Sequence, residues 1–368
     1  MNRNNFLWTN SHILVSESML SSRAWVLQES LLSPWTLHYV KQQMFWECMH
    51  CTLSESSISP MAITSISHWL TAVTWVSNKM ILPTGIEQSL NQATPEKDVN
   101  KRADLYNLWL QIVSNHTKRK LTFRSDIFAA LAGPASIFQA YFGERYLAGL
   151  FEWDLLRSLL WRVKDSSSAA RASPSHTPSW SWASVVGAVG PEIAVNSSLI
   201  PPRLVGGLAA QILVAETYLT DGLLAPANHF LDVSGGMIRL GGYLLHGSSL
   251  ANLCYEGEAL DPIEADPAEP NRVYTPQCSL HLDISEDLDK PDDVAILHLG
   301  VWEWRFGLSM RSNRLATEFA GLILRATDST RSFYYRIGIA SMRVEIVQDG
   351  PTYRFSWGER RVDCYEVG

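Results

Sequence analysis

The 368-residue chain lacks the glycine loops that cradle phosphates. Neither G-x-x-x-x-G-K-[ST] nor G-x-G-x-x-G occurs, which argues against a P-loop nucleotidase and against a dinucleotide-binding fingerprint. G-x-S-x-G, the strained turn that exposes a nucleophilic serine, is missing too. Cysteine is scarce: five residues, an odd count, scattered over a long chain. That distribution favours free thiols in a reducing compartment over a disulfide framework. Cys48-Met49-His50-Cys51 is a C-x2-C pair, but the second pair that a structural zinc site needs is absent, as is a thioredoxin-like βαβ unit around it. Asp287-x-Asp289 lacks the glycine and the closing glutamate of a calcium loop. The ten histidines show no i, i+4 pairing near an acid, so no catalytic triad is nominated. We expect no metal and no cofactor.

Long apolar runs are also lacking. Residues 6–15 are broken by Thr9, Asn10, Ser11 and His12, which leaves no apolar core for a signal peptide. The stretch 204–215 is interrupted by Gly206, Gly207 and Gln211 and is too short to span a bilayer. Basic charge is in deficit, with 30 Lys and Arg against 37 Asp and Glu, and no stripe of the kind nucleic-acid binding requires. The expectation is a soluble, cytoplasmic protein without membrane or nucleic-acid partners. What the chain does have is apolar material, 46% of residues with 14 Trp, enough for two domains with their own cores.

The most informative stretch is 23–48. Leu20, Ala24, Leu27 and Leu31 recur at helical spacing, with Trp25, Gln28, Glu29 and Leu32 on the adjoining side. Ser33-Pro34 stops the helix, because proline disfavours helical geometry in the residue before it. Residues 36–40 and 44–48 then alternate around Lys41-Gln42-Gln43, a hairpin pattern. Arg23, Trp25, Gln28, Glu29, Leu32 and Ser33, followed by Trp46-Glu47-Cys48, resemble the last block of the fungal heterokaryon incompatibility (HET) domain. The family's earlier Ser-Tyr-x-Trp-Gly and Trp-Ile-Asp-x-x-Cys-Ile-x-Gln motifs do not occur. The resemblance thus implies a truncated member that carries the tail of that domain and the region after it. Three further stretches resemble the family: Leu121-Thr122 with Asp126 and Ala130-Leu131-Ala132-Gly133; Tyr146-Leu147-Ala148-Gly149-Leu150; and Pro178-Ser179-Trp180-Ser181-Trp182-Ala183-Ser184. Tyr334-Tyr335-Arg336-Ile337-Gly338 resembles a C-terminal signature. His116 and Phe151 stand where the family usually has Tyr and Trp, which suits packing roles.

Leu105, Leu108, Trp109, Ile112 and Val113 predict an amphipathic helix, ending before the basic run Lys118-Arg119-Lys120. Further helices are expected over 126–141, where Gly133-Pro134 threatens a break, and over 153–161. The segment 66–82 is moderately apolar, and 166–178 is loop-like. Trp180 and Trp182 alternate with serines, as on an extended strand. From residue 204 the period becomes two, and strands are expected over 209–219, 237–245, 294–302, 319–326, 333–344 and 361–367. The acidic segments 256–270 and 283–293 read as solvated loops.

The expected fold is therefore α+β. A helical N-terminal half, the remnant of an α/β HET domain, precedes an antiparallel β-rich C-terminal region. The expected boundaries are 1–52 for the remnant, 53–200 for a helical region ending in the Trp-Ser-Trp strand, and 201–368 for the β-rich part. The candidate site residues are Arg23, Trp25, Gln28, Glu29, Trp46, Glu47, Trp180 and Trp182. Trp180 and Trp182 are expected to be buried and to join the two halves. Arg23 and Glu29 are expected to be a structural pair or near-pair. The resemblance implies a regulatory or interaction protein of non-self recognition, linked to programmed cell death, whose partner is another protein. The alternative follows from the family's distant similarity to TIR domains, some of which cleave NAD with a glutamate. In that reading Glu29 carries NAD hydrolysis, although the missing upstream core leaves it no pocket.

Overall fold

A computed structural model describes residues 19–62, 95–191, 203–246, 277–285, 293–306, 314–347 and 361–367, apart from a few short gaps. The predicted apolar segment 66–82 and the acidic loop 256–270 lie outside these residues. The chain divides into two compact units. One comprises Met1–Tyr146 with Asn228–Asp232, and the other Leu147–Ala227 with Val233–Gly368.

In the first unit, helix α1 (Ala24–Leu32) buries Ala24, Leu27 and Leu31. Leu20, expected on the same stripe, lies in a preceding 3-10 turn (Leu20–Ser22) and is largely exposed. Ser33 closes the helix, its backbone N–H and Oγ both donating to the Glu29 carbonyl. After Pro34 the chain reverses into an antiparallel meander, β1 (Trp35–Tyr39), β2 (Met44–Cys48), β3 (Cys51–Ser54) and β4 (Ser57–Ala62), ordered β1-β2-β3-β4. The expected hairpin is there, but it belongs to a four-stranded sheet. That sheet corrects the helical N-terminal half. Residues 51–62 carry Thr, Ile and several serines, which an extended antiparallel backbone accommodates and a helix interior disfavours.

Helix α2 (Pro95–Thr117) is longer than its apolar stripe alone suggests. Trp109 meets Phe138 and Tyr146 edge-on, and Tyr106 stacks on Phe142 with ring centroids 4.2 Å apart. The partner rings Phe138 and Phe142 come from α3 (Ala132–Phe142). This helix follows two 3-10 turns, Arg124–Ile127 and Ala129–Leu131. Gly133-Pro134 begins the helix instead of breaking it, because a first-turn proline gives up an N–H that has no helical acceptor.

The second unit starts with short elements: β5 (Tyr146–Leu147, where the chain passes between units), β6 (Leu150–Phe151), α4 (Leu155–Ser158), β7 (Trp161–Val163), β8 (Ala170–Arg171), β9 (Val185–Val186) and β10 (Val189–Pro191). The helix expected over 153–161 is thus a single turn. A large sheet follows, of β11 (Arg203–Leu208), β12 (Gln211–Tyr218), β13 (Gly235–His246), β14 (Gln277–Leu282), β15 (Val294–Phe306), β16 (Arg314–Ala326), β17 (Phe333–Val347) and β18 (Arg361–Val367). Along it run β11-β15-β16-β17-β18-β13-β12, with β14 on β17. β13 also pairs with β15 through Tyr243↔His298 to His246↔Ala295, so β15-β16-β17-β18-β13 close into a ring. Closure removes strand edges that would otherwise invite foreign pairing. The region is not wholly antiparallel, since β17 and β18 meet in parallel at Phe333↔Glu366 and Tyr334↔Val367. Val294, Ile296, Ile323, Ile337 and Ala340 form an apolar core on this sheet.

Candidate functional site

The candidate site in the first unit is a cleft of about 570 Å³ between α1 and β1. The helix ends at Ser33 and the strand begins at Trp35, and residues of both line the same groove. Arg23, Trp25 and Glu29 contribute from the helix, and Thr36 to Val40 from the strand side. Arg119 closes the wall, its Nη1 donating to the Ser21 carbonyl at 2.6 Å. Burial lowers the Arg119 pKa from its ordinary value, but a guanidinium stays cationic at neutral pH.

Three of the expected site residues therefore meet here. Arg23 and Glu29 are both exposed, and no ion pair joins them among the described residues. The Arg23 backbone instead bridges to Lys120: Ala24 N–H donates to the Lys120 carbonyl at 3.0 Å and Lys120 N–H to that of Ser22 at 2.7 Å. Trp25 Nε1 donates to Asp126 Oδ2 at 3.3 Å. Gln28 is half-buried, and its Oε1 accepts from Gly133 N–H at 2.8 Å. This bond satisfies a first-turn donor of α3 that has no helical partner. A Cβ on Gly133 would lie 2.6 Å from Leu32 Cδ1, so the close approach of α3 to α1 needs glycine there. Two stretches 105 residues apart, each singled out in the sequence, are thus one contact.

Trp46 stacks on Trp35, centroids 4.9 Å apart and planes 13° from parallel. Glu47 is buried at 5% exposure, with Oε2 2.8 Å from His38 Nε2, and His38 also lines the cleft. His38 was not singled out by sequence. The register Thr36↔Glu47 and His38↔Phe45 puts His38 and Glu47 on one face as diagonal neighbours. That signal was readable once the hairpin was drawn. Arg119, noted in the sequence only as part of the basic run after α2, was not singled out because its acceptor lies 98 residues away.

Trp180 and Trp182 stand apart from this cleft, in the second unit, at 0% and 1% exposure. They do not lie on a strand. Ser181 is buried as well and caps a 3-10 turn over Trp182–Ser184, accepting from Ala183 N–H at 3.1 Å. Trp182 Nε1 donates to the Gly149 carbonyl at 3.1 Å, and Ser181 Oγ to that of Ala148 at 2.7 Å. Gly149 has φ +97°, and a Cβ there would lie 2.3 Å from Trp182 Nε1. Nearby, the wholly buried Arg336 guanidinium lies 3.2 Å from the Trp161 ring centroid and 3.1 Å from Asp283 Oδ1, and it donates to the Trp161 carbonyl. Its backbone N–H donates to Ser179 Oγ at 2.8 Å. Desolvation lowers the Arg336 pKa to about 9; Asp283 opposes the fall and Arg171 adds to it. Asp283, assigned by charge pattern to a solvated loop, is 1% exposed.

Among the described residues no three His, Cys, Asp or Glu side chains converge as a metal site, and no helix is long and apolar enough to cross a membrane. Comparison with protein-family models, with characterised proteins and with solved structures gives no match.

Proposed function

We propose that this chain is a regulatory or interaction protein of the fungal heterokaryon-incompatibility type, which acts by meeting a partner protein and promotes cell death. The observation that carries this reading is the outer face of the first hairpin. Trp35, Leu37, Tyr39 and Met44 share that face and are 55%, 36%, 74% and 38% exposed. Contiguous exposed apolar surface of this kind marks interaction sites. The motif residues Trp25 and Gln28 support the reading too, because their polar atoms hold the fold together. The test is controlled expression in a filamentous fungus with vital-dye uptake as readout. The wild-type chain is expected to kill, and Leu37→Glu/Tyr39→Glu, which changes only exposed positions, to be harmless. Unimpaired growth with the wild type contradicts the proposal.

One observation favours a second reading, NAD hydrolysis through Glu29: its carboxylate lines a cleft that also holds Arg23 and Arg119. Against it stands the exposure of Glu29, since a catalytic carboxylate works best desolvated and held within a rigid constellation. Nicotinamide release from NAD separates the two readings.

A further inference from the structure

Ala24, Leu27 and Leu31 bury one stripe of α1, and the cleft takes Arg23, Val26, Glu29 and Ser30 from outside that stripe. The helix thus serves the core with one side and the cleft with another. The second wall is β1 with Val40 after it. A volume of about 570 Å³ falls in the range of small-molecule sites, which combine an apolar lining with a few placed polar groups. Leu20, Val26 and Val40 supply apolar lining here.

The charges in the cleft are separated along the helix. Arg23 stands at the start of α1, and Arg119 donates to the carbonyl of Ser21 just before it, so both cations belong to that end. Arg119 uses one Nη1 on this carbonyl, whereas a guanidinium carries five N–H donors. Burial lowers the Arg119 pKa, which marks a cation held partly away from water. An anion beside it offsets that desolvation. Glu29 lies six residues beyond Arg23, about 9 Å along the helix axis, and repels negative charge at its own end. We propose that the cleft binds a small amphipathic organic acid, with one carboxylate or phosphate head on Arg23 and Arg119 and an apolar body against Val26 and Val40. Two cations meet the head, the body leaves water, and Glu29 discriminates against a second acidic group. The proposal does not rest on the interaction reading, whose evidence is the outer face of the hairpin.

The probes are octanoate and octyl phosphate, titrated calorimetrically into the purified full chain below their micelle-forming concentrations. Octanol and octyltrimethylammonium are the neutral and cationic counterparts. Saturable binding of at least one anion at a single site is expected, and the two arms tell a carboxylate head from a phosphate head. Octanol and the ammonium should bind about tenfold or more weaker. Arg23→Glu, a change at an exposed position, should weaken the anion by a similar factor, because a charge-assisted hydrogen bond is lost. Met44→Glu alters the outer hairpin face and not the cleft lining, and should leave binding unchanged. Octanedioate should bind the wild type more weakly than octanoate, and Glu29→Gln should narrow that gap, a gain that misfolding cannot mimic. The proposal is overturned by the absence of saturable anion binding, by equal binding of octanol or the ammonium, or by an Arg23→Glu chain that binds like the wild type. It is also overturned if Met44→Glu is as damaging as Arg23→Glu, or if octanedioate binds the wild type as tightly as octanoate.

Discussion

At the scale of single residues, His116 sits wholly buried on α2, with Nε2 3.0 Å from the Ile127 carbonyl. Burial lowers its pKa to about 4; the carbonyl opposes the fall, and Arg124 and Arg119 add to it. The unfolded chain binds a proton near pH 6.5 that the folded chain refuses until about pH 4. Stability is therefore intact above pH 6.5 and falls as pH drops toward 4, by up to about 3 kcal/mol from this group. Urea midpoints of the wild type should fall between pH 7.5 and pH 4.5, and His116→Gln should flatten that slope. An identical slope in the variant would remove His116 from the account. Gly149 and Trp182 give a second expectation. Gly149→Ala meets both a left-handed φ and the indole, and Trp182→Ala opens a large cavity, so each should cost about 3–5 kcal/mol in denaturant unfolding. Wild-type midpoints for either would contradict the packing described.

At the scale of elements, the contacts that matter join segments far apart in the chain. Gln28 caps α3, Trp25 reaches Asp126, and Ser179 receives the Arg336 N–H. Gln28→Ala should cost about 1–2 kcal/mol, because it strands a partly buried N–H. Asp283→Ala should cost about 3–5 kcal/mol by leaving the buried Arg336 charge without its carboxylate, and Asp283→Leu/Arg336→Met should cost less than that single change. A double variant as costly as Asp283→Ala, or costlier, would refute the pairing. Local pattern made some of this architecture legible. The stripe from Leu105 to Val113 marked α2, and the alternation around Lys41 marked the hairpin. Local pattern failed where a distant partner decides the outcome. Asp283 looks solvated by sequence until Arg336 arrives from β17. Ser181 looks like the polar face of a strand until its hydroxyl caps a turn. Residues 51–62 have no strong period, and neighbouring strands hold them extended. Of the candidate site, Arg23, Trp25 and Glu29 were readable from motif spacing. His38 and Arg119 were not, because one needs the register and the other a contact across the unit.

At the scale of the whole molecule, the two units build their sheets in different ways. The large sheet of the second unit closes its central strands into a ring, while the small sheet of the first runs in the simple order β1-β2-β3-β4 among the described residues. We propose that the exposed apolar face of the hairpin is where the first unit meets its partner. The proposal at stake is that the first unit acts by recognition and that Glu29 performs no chemistry. The most direct test incubates the purified chain with NAD beside Glu29→Gln and follows nicotinamide by chromatography. The account predicts no release above buffer from either protein. Release by the wild type that disappears in the variant would contradict it.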